Sequence, residues 1–266
     1  MLHINKDIMF VNNIFIDNVN KRNIIIFVTT NKKHRIMGKI LPGTFVAFEN
    51  PKGGVGKSTL TALFAGYIHS TAKETGLTIG VVDIDDAQNT IGKMRMFDAA
   101  QQENLDEEYQ VMNISSSEFI EHMEFLKENF DIILIDFPGN LKQPGVVETL
   151  MMMDVLIIPF EPSKIEIMHT LSFYNYYKEN IMDKREGLGY KTTVRGLPNR
   201  VVANLIEYKE LIAKQDELPF KLLKNHIKES RVSYQRNLST LISSYDHVCD
   251  DFGEEMTQLI TNHIKS

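Results

Sequence analysis

The sequence predicts a doubly wound α/β fold, a mostly parallel sheet with helices on both faces. Three observations carry that expectation. Short, continuous apolar runs recur at Thr44 to Phe48, Thr78 to Val82, Ile132 to Ile135 and Val155 to Ile158, as strands covered on both faces require. Segments of helical period lie between several of these runs. A glycine-rich turn joins the first run to the first helical segment, the strand, loop and helix that open a βαβ unit. A chain of 266 residues, 43% hydrophobic and 24% charged, allows one such domain or two small ones and excludes disordered, collagen-like and coiled-coil classes.

Residues 1 to 36 differ in composition from the rest. They hold seven of the 20 asparagines and eight isoleucines, with no glycine, proline or alanine, and lack the long apolar run and small-residue cleavage site of a signal peptide. Two readings compete: an extra β-hairpin of low stability, or sequence upstream of a true start at Met37. The second is favoured because Met37-Gly-Lys-Ile leads directly into the first strand. On either reading the segment carries no chemistry, and residues 37 to 266 form the functional domain.

Within that domain, Thr44-Phe-Val-Ala-Phe reads as the first strand and Glu49 to Gly56 as a loop. Lys57 to Tyr67 follows as a helix with Leu60, Leu63, Phe64 and Tyr67 on one face. The second strand ends in Asp83-Ile-Asp-Asp. Ser115 to Asn129 repeats Phe119, Ile120, Met123 and Leu126 at helical spacing, and the third strand ends in Asp136-Phe-Pro-Gly. Val155 to Ile158 and Arg200 to Ala203 supply two further strands, each with a helical segment after it. Ligands of such sheets sit at the carboxyl ends of the strands, where Asp83, Asp85 and Asp136 all fall.

Charge and cysteine content narrow the chemistry. Net charge is −6, but residues 1 to 36 carry six basic and two acidic side chains, leaving 23 basic and 33 acidic for the remainder. A body of −10 argues against nucleic-acid binding by bulk charge and requires any such binding to use a local patch. A single cysteine, Cys249, forbids an intrachain disulfide and a cysteine-ligated cluster within one chain, and makes a reducing, cytoplasmic compartment the default. Apolar runs of about five residues fall far short of the roughly 20 needed to cross a bilayer.

The segment Pro51-Lys-Gly-Gly-Val-Gly-Lys-Ser-Thr59 departs from a strict G-x-x-x-x-G-K-S/T pattern only in having proline first. Gly53, Gly54 and Gly56 let the backbone around Val55 turn its amides inward as an anion nest. The helix beginning at Lys57, Ser58 and Thr59 points its N-terminus at the same place. Lys57 would reach the β and γ phosphates and the Ser58 hydroxyl would ligate magnesium. Asp136, ending the run Asp131-Ile-Ile-Leu-Ile-Asp136, has the form of a Walker-B aspartate that holds magnesium. Asp83 and Asp85 are two residues apart, which on a strand end puts both carboxylates on one face, toward metal and γ phosphate.

The run Lys-Gly-Gly-Val-Gly-Lys-Ser-Thr resembles the deviant Walker motif of the ParA/MinD family of P-loop ATPases, in which a signature lysine, here Lys52, precedes the double glycine. The resemblance covers about residues 40 to 250 and is most specific in the phosphate loop. It implies an ATP-sandwich homodimer with magnesium, in which Lys52 of each subunit reaches the nucleotide held by the other. It also implies that Asp85 orients the attacking water. The family's Asp-x-Asp-Pro-Gln reads Asp83-Ile-Asp85-Asp86-Ala87-Gln88 here, with one residue inserted and the proline absent, which points to slow turnover. Val201-Val-Ala-Asn204 resembles the strand whose terminal asparagine reads adenine, with a turn-forming Asn204 as the competing reading.

Lys221, Lys224, Lys228, Arg231 and Arg236 meet only one acidic residue, Glu229, between positions 221 and 236. Lys228-Glu-Ser-Arg231-Val-Ser resembles a stretch with which family members bind DNA non-specifically, making Lys224, Lys228 and Arg231 the candidate phosphate contacts; a solvated helix face competes. The C-terminal segment, with two glutamates and one lysine from Phe252 to Lys265, would not draw strongly to anionic lipid, so no membrane partner is expected. The function implied is an ATP-dependent switch that partitions or positions a plasmid, mobile element or protein cargo, with weak hydrolysis stimulated by a partner of ParB type. The alternative is an ATP-binding regulatory or conjugation-accessory module that scarcely hydrolyses.

Overall fold

The computed structural model describes residues 9–11, 14–19, 22–27, 42–101, 108–228, 239–241 and 249–266. Ten strands occur among the described residues: β1 (Met9–Val11), β2 (Ile14–Val19), β3 (Arg22–Phe27), β4 (Thr44–Phe48), β5 (Ile79–Asp83), β6 (Gln110–Asn113), β7 (Ile132–Asp136), β8 (Val155–Phe160), β9 (Thr193–Pro198) and β10 (Lys221–Leu222). Helices are α1 (Lys57–Ser70), α2 (Ala72–Thr75), α3 (Thr90–Gln101), α4 (Phe119–Asn129), α5 (Val146–Leu150), α6 (Lys164–Tyr177), α7 (Asp183–Gly187), α8 (Ile206–Ala213) and α9 (Asp250–Lys265). One π-helical turn, Lys178–Met182, joins α6 to α7.

The strand order is β1-β2-β3-β6-β5-β7-β4-β8-β9-β10. The seven strands from β6 to β10 run parallel, while β1 to β3 add an antiparallel meander along the β6 edge. The doubly wound parallel sheet is therefore present. Its chain order places β4 in the middle, with β7 on one side and β8 on the other, so the loop after β4 emerges at the centre of the sheet.

Both faces of the sheet are covered, and the period of two along each strand sorts side chains between them. Phe45 and Ala47, Val82 and Ile84, Ile133 and Ile135 face one layer, packed on Phe119 and Leu126 of α4, Val146 and Leu150 of α5, and Phe173, Tyr174 and Tyr177 of α6. Val46 and Phe48, Ile79 and Val81, Ile132 and Leu134 face the other, packed on Leu60, Phe64 and Ile68 of α1 and Phe252, Met256 and Ile260 of α9. Each fully buried side chain of this size contributes about 1.5–3 kcal/mol. Edge-on contact of Phe45 with Phe119, centroids 5.4 Å apart, fixes α4 to the sheet.

The C-terminal helix is a core element. Phe252 packs on both Phe48 and Phe64, and a Cβ at Gly253 would stand 2.2 Å from the Tyr67 ring, so only glycine allows α9 to lie this close to α1. Its apolar face is consumed by the core. Among the described residues no helix is long and apolar enough to cross a membrane.

One expected strand is corrected. Arg200 to Ala203 does not form a strand; the element is β9, five to seven residues earlier, and it ends at Pro198, which has no amide to continue a ladder. Arg200 then takes a left-handed φ of 54°, breaking the extended run, and Val201 keeps only an isolated bridge to Lys228. The aromatic cluster after Leu171 divides as a buried helix face should: Phe173, Tyr174 and Tyr177 are buried and Tyr176 is exposed.

Candidate nucleotide site

The parallel sheet brings the expected polar groups to one edge because β4, β5, β7, β8 and β9 all end there. The loop from Glu49 to Gly56 leaves β4 and feeds α1. Gly54 (φ 80°) and Gly56 (φ 94°) adopt backbone that side-chain-bearing residues rarely take. Gly56 is the N-cap of α1 and offers no capping side chain, so the first amides of a 14-residue helix face the hollow of the loop without a protein acceptor from the cap. Gly53 and Gly54 lie exposed at its mouth.

Lys57 is buried beneath this loop. Its Nζ donates to the carbonyls of Asn50 and Pro138, each at 3.1 Å, and lies 3.4 Å from a carboxylate oxygen of Glu49. Pro138 belongs to the turn after β7, so the lysine ties two strand-end loops together. Asn50 braces the loop from the other side: its Nδ2 donates to Pro159 O (3.0 Å) and Thr170 Oγ1 (3.2 Å) and its Oδ1 accepts the Lys52 amide (3.2 Å). Asn199, directly after β9, donates to Val55 O at 2.7 Å.

The carboxylates occupy neighbouring strand ends, with Asp83 of β5 in register beside Asp136 of β7. Burial holds the Asp136 carboxyl well above the usual carboxylate range, the neighbouring Asp83 charge adds to this, and a hydrogen bond from Ser58 and the Lys57 charge act against it. One Asp136 oxygen is buried without a hydrogen-bond partner. An orphaned carboxylate oxygen beside the Ser58 hydroxyl fits magnesium, which takes one or two protein oxygens and completes its shell with phosphate and water. No cluster of three or more acidic, histidine or cysteine side chains competes as a metal site among the described residues.

Asp83 is 3% exposed and caps α3: one oxygen accepts the amides of Ile91 (2.9 Å) and Gly92 (3.2 Å), the other that of Asp85 (3.1 Å). Burial raises its carboxyl to about 6, against those amide bonds. Asp85 lies just past the strand end, its Oδ1 held by the amides of Ala87 (3.1 Å) and Gln88 (2.9 Å). Gln143, from the loop after β7, donates to Ile84 O (3.1 Å), Asp86 (3.0 Å) and Ser116 (2.9 Å) and so fastens this acidic turn to the Asp136 side.

Lys52 stands at the open limb of the loop, its side chain 48% exposed, paired with nearly buried Glu166 in the first turn of α6. Ser163 caps that helix, accepting the Glu166 amide. Thr59 is half-buried and Val55 buried within the loop.

The ATPase MipZ family model matches residues 44–170, from β4 to the α6 threonine that Asn50 contacts. Among solved structures, a Cyanothece McdA variant in complex with ATP superposes with TM-score 0.57 at 18% identity, over 84% of this chain and 97% of that one. ParA of pNOB8 bound to nonspecific DNA gives 0.58 at 15%, over 83% and 99%. MinD of Aquifex aeolicus gives 0.57 at 16%, over 82% and 97%. This is a ParA/MinD-like P-loop fold. No curated protein matches the chain in sequence.

Within this fold the structure gathers Lys52, Gly53 to Thr59, Asp83, Asp85 and Asp136 at one sheet edge. It does not bring Asn204 there as a strand terminus: that residue lies exposed in a turn, and the asparagine ending the strand is Asn199. Sequence reading also missed Glu49, Asn50, Gln143 and Glu166; the Ser163-x-x-Glu166 spacing of a capping box was the one available signal. Lys224 and Lys228 are exposed, with the Glu255 carboxylate of α9 accepting the amides of Lys224 and Asn225 at 2.8 Å each. Arg231 lies outside the described residues.

Proposed function

We propose that this chain is an ATP-dependent dimerising switch of ParA type, which positions or partitions DNA or protein cargo through weak, partner-stimulated hydrolysis of ATP. The observation that carries this reading is the juxtaposition of a left-handed glycine nest over buried Lys57 with the partnerless Asp136 oxygen beside Ser58. The nest amides and Lys57 bind the triphosphate, while Ser58 and Asp136 hold magnesium, with Asp83 behind them fixing the start of α3. Magnesium supplies charge neutralisation of the phosphates. Asp85, oriented by its two amide bonds, positions water for in-line attack on the γ phosphate, a step that depends on orientation more than on covalent chemistry.

Lys52, half-exposed at the open limb of the loop and able to exchange its Glu166 partner for phosphate, is the residue that crosses to a second subunit's nucleotide. Light scattering with ATP and magnesium tests this: the wild type is expected to dimerise and Lys52→Ala to stay monomeric while keeping nucleotide affinity within about tenfold, roughly 1.4 kcal/mol. ATP-dependent dimers of Lys52→Ala would refute the sandwich. A regulatory or conjugation-accessory role with little hydrolysis is the second reading. It is favoured by the inserted residue in the acidic turn and by the oxygens that Asp83 and Asp85 commit to their own backbone. Phosphate release that a partner of ParB type does not raise selects it.

Non-specific DNA contact through Lys224, Lys228 and Arg231 belongs to the first reading. It draws support from exposed Lys224 and Lys228 and from the DNA-bound state of the pNOB8 relative.

A further inference from the structure

The nucleotide reading leaves one buried group without a task. Glu49 follows β4 directly, its side chain is wholly inaccessible, and its amide donates to Ile157 O of β8 at 2.9 Å. Among the described residues Lys57 from α1 is its one cation, with Nζ 3.4 and 3.5 Å from the two carboxylate oxygens. The other charge acting there is Asp136 of β7, which is repulsive; β8 contributes none. The remaining hydrogen bonds of Lys57 go to neutral carbonyls, and its charge also acts on Asp136. The same ammonium is therefore the counterion of a buried carboxylate and the group that must meet incoming phosphate.

One positive charge cannot neutralise both. When a triphosphate takes Lys57, the Glu49 carboxylate is left buried beside new negative charge, and an unpaired buried carboxylate is far costlier than its neutral acid. Resting on the nucleotide reading above, we propose that Glu49 is the resident counter-anion and positioning residue of Lys57, and that phosphate and a proton enter the site together. The proton comes from solvent and binds a Glu49 carboxylate oxygen; no covalent bond is made or broken in the phosphates or the chain's skeleton. The direction is already visible in the resting chain, where burial raises the Glu49 carboxyl to about 7 even while Lys57 pulls it down. Withdrawing that pull raises it further. A carboxylate that merely fills space behind the loop would leave nucleotide binding independent of proton concentration.

Calorimetric titration of magnesium-ATP at pH 8, in Tris and in Hepes, reads protons exchanged on binding. Asp83, raised only to about 6, is already ionised at pH 8, and proton exchange at Asp136 is common to both proteins, so the informative quantity is wild type minus Glu49→Gln. Wild type is expected to take up close to one proton more than the variant and to bind about tenfold more weakly at pH 8. Relative to that of Glu49→Gln, its dissociation constant should rise close to tenfold between pH 8 and 9. Equal proton exchange in two proteins that both bind ATP overturns the proposal and leaves the nucleotide site standing. Wild type that binds no ATP overturns both. Should Glu49→Gln fail to fold, wild-type titration with ATP and EDTA, which leaves the metal carboxylates out of the exchange, decides alone, and a level dissociation constant from pH 8 to 9 refutes the proton coupling.

Discussion

Without nucleotide, the buried carboxylates at the strand ends should make the chain lose stability as pH rises, and Glu49→Gln isolates the contribution of Glu49. The Glu49 carboxyl stands near 7 in the folded chain against 4.5 for an exposed glutamate. Between those values the folded state holds a proton that the unfolded state has lost, so stability is fully present below about pH 4.5 and lost as pH rises through 7. At 1.36 kcal/mol per pH unit the whole change is about 3 kcal/mol. Asp83, raised to about 6 by burial, acts in the same direction over a lower window. His226 and His263, pushed down mainly by burial, act oppositely, because the unfolded chain binds their protons more readily. The comparison therefore has to be between proteins rather than within one. Urea unfolding at pH 5 and pH 8 should show wild type losing about 2 to 3 kcal/mol more than Glu49→Gln. That is roughly 1 M in midpoint at a slope of about 3 kcal/mol/M. Midpoints that move in parallel would show that Glu49 ionises in the fold as it does in water, and the electrostatic reasoning behind the loop would be wrong.

Gly56→Ala should both destabilise the chain and weaken ATP binding, since its φ of 94° disfavours alanine and the added Cβ would lie 2.7 Å from Asn199 Nδ2. Strain and the breaking of a buried hydrogen bond together predict about 2–4 kcal/mol by urea unfolding, and a change under about 0.5 kcal/mol would contradict the loop geometry. Replacing Lys224 and Lys228 with alanine should leave ATP-dependent dimers intact yet weaken binding to unrelated duplexes. The plot of log affinity against log salt should flatten by about one unit for each phosphate that is no longer neutralised; an unchanged slope removes these lysines from any DNA surface.

What the sequence disclosed, and what it withheld, follows from how locally each feature is specified. The loop from Lys52 to Thr59 is legible because glycine backbone freedom, a lysine and a hydroxyl are all contiguous, and Asp136 is legible because it terminates an unbroken apolar strand. Those signals place the site at the sheet edge before any coordinate is known. Asn199 escaped because the chain after β9 contains two asparagines five residues apart. The apolar run Val201-Val-Ala imitates a strand, whereas Gly196-Leu-Pro, the real strand end, carries a glycine and a proline that speak against one. Only pairing with β8, from Val155 opposite Thr193 to Phe160 opposite Pro198, overrides that local evidence.

Glu49 is the more instructive omission. In the sequence it is one charged residue at the mouth of a loop, the place where a solvated glutamate is ordinary. Its burial depends on α1, β7 and β8 closing around it, and its meaning depends on Lys57, eight residues on, turning back beneath the nest. A charge that the chain buries entirely, against the buried lysine of its glycine-rich loop, is not explained by packing, since an apolar residue of similar volume would fill the space at lower cost. It is explained if the lysine needs a partner while the nest is open, and if that partner can be neutralised by a proton when phosphate arrives.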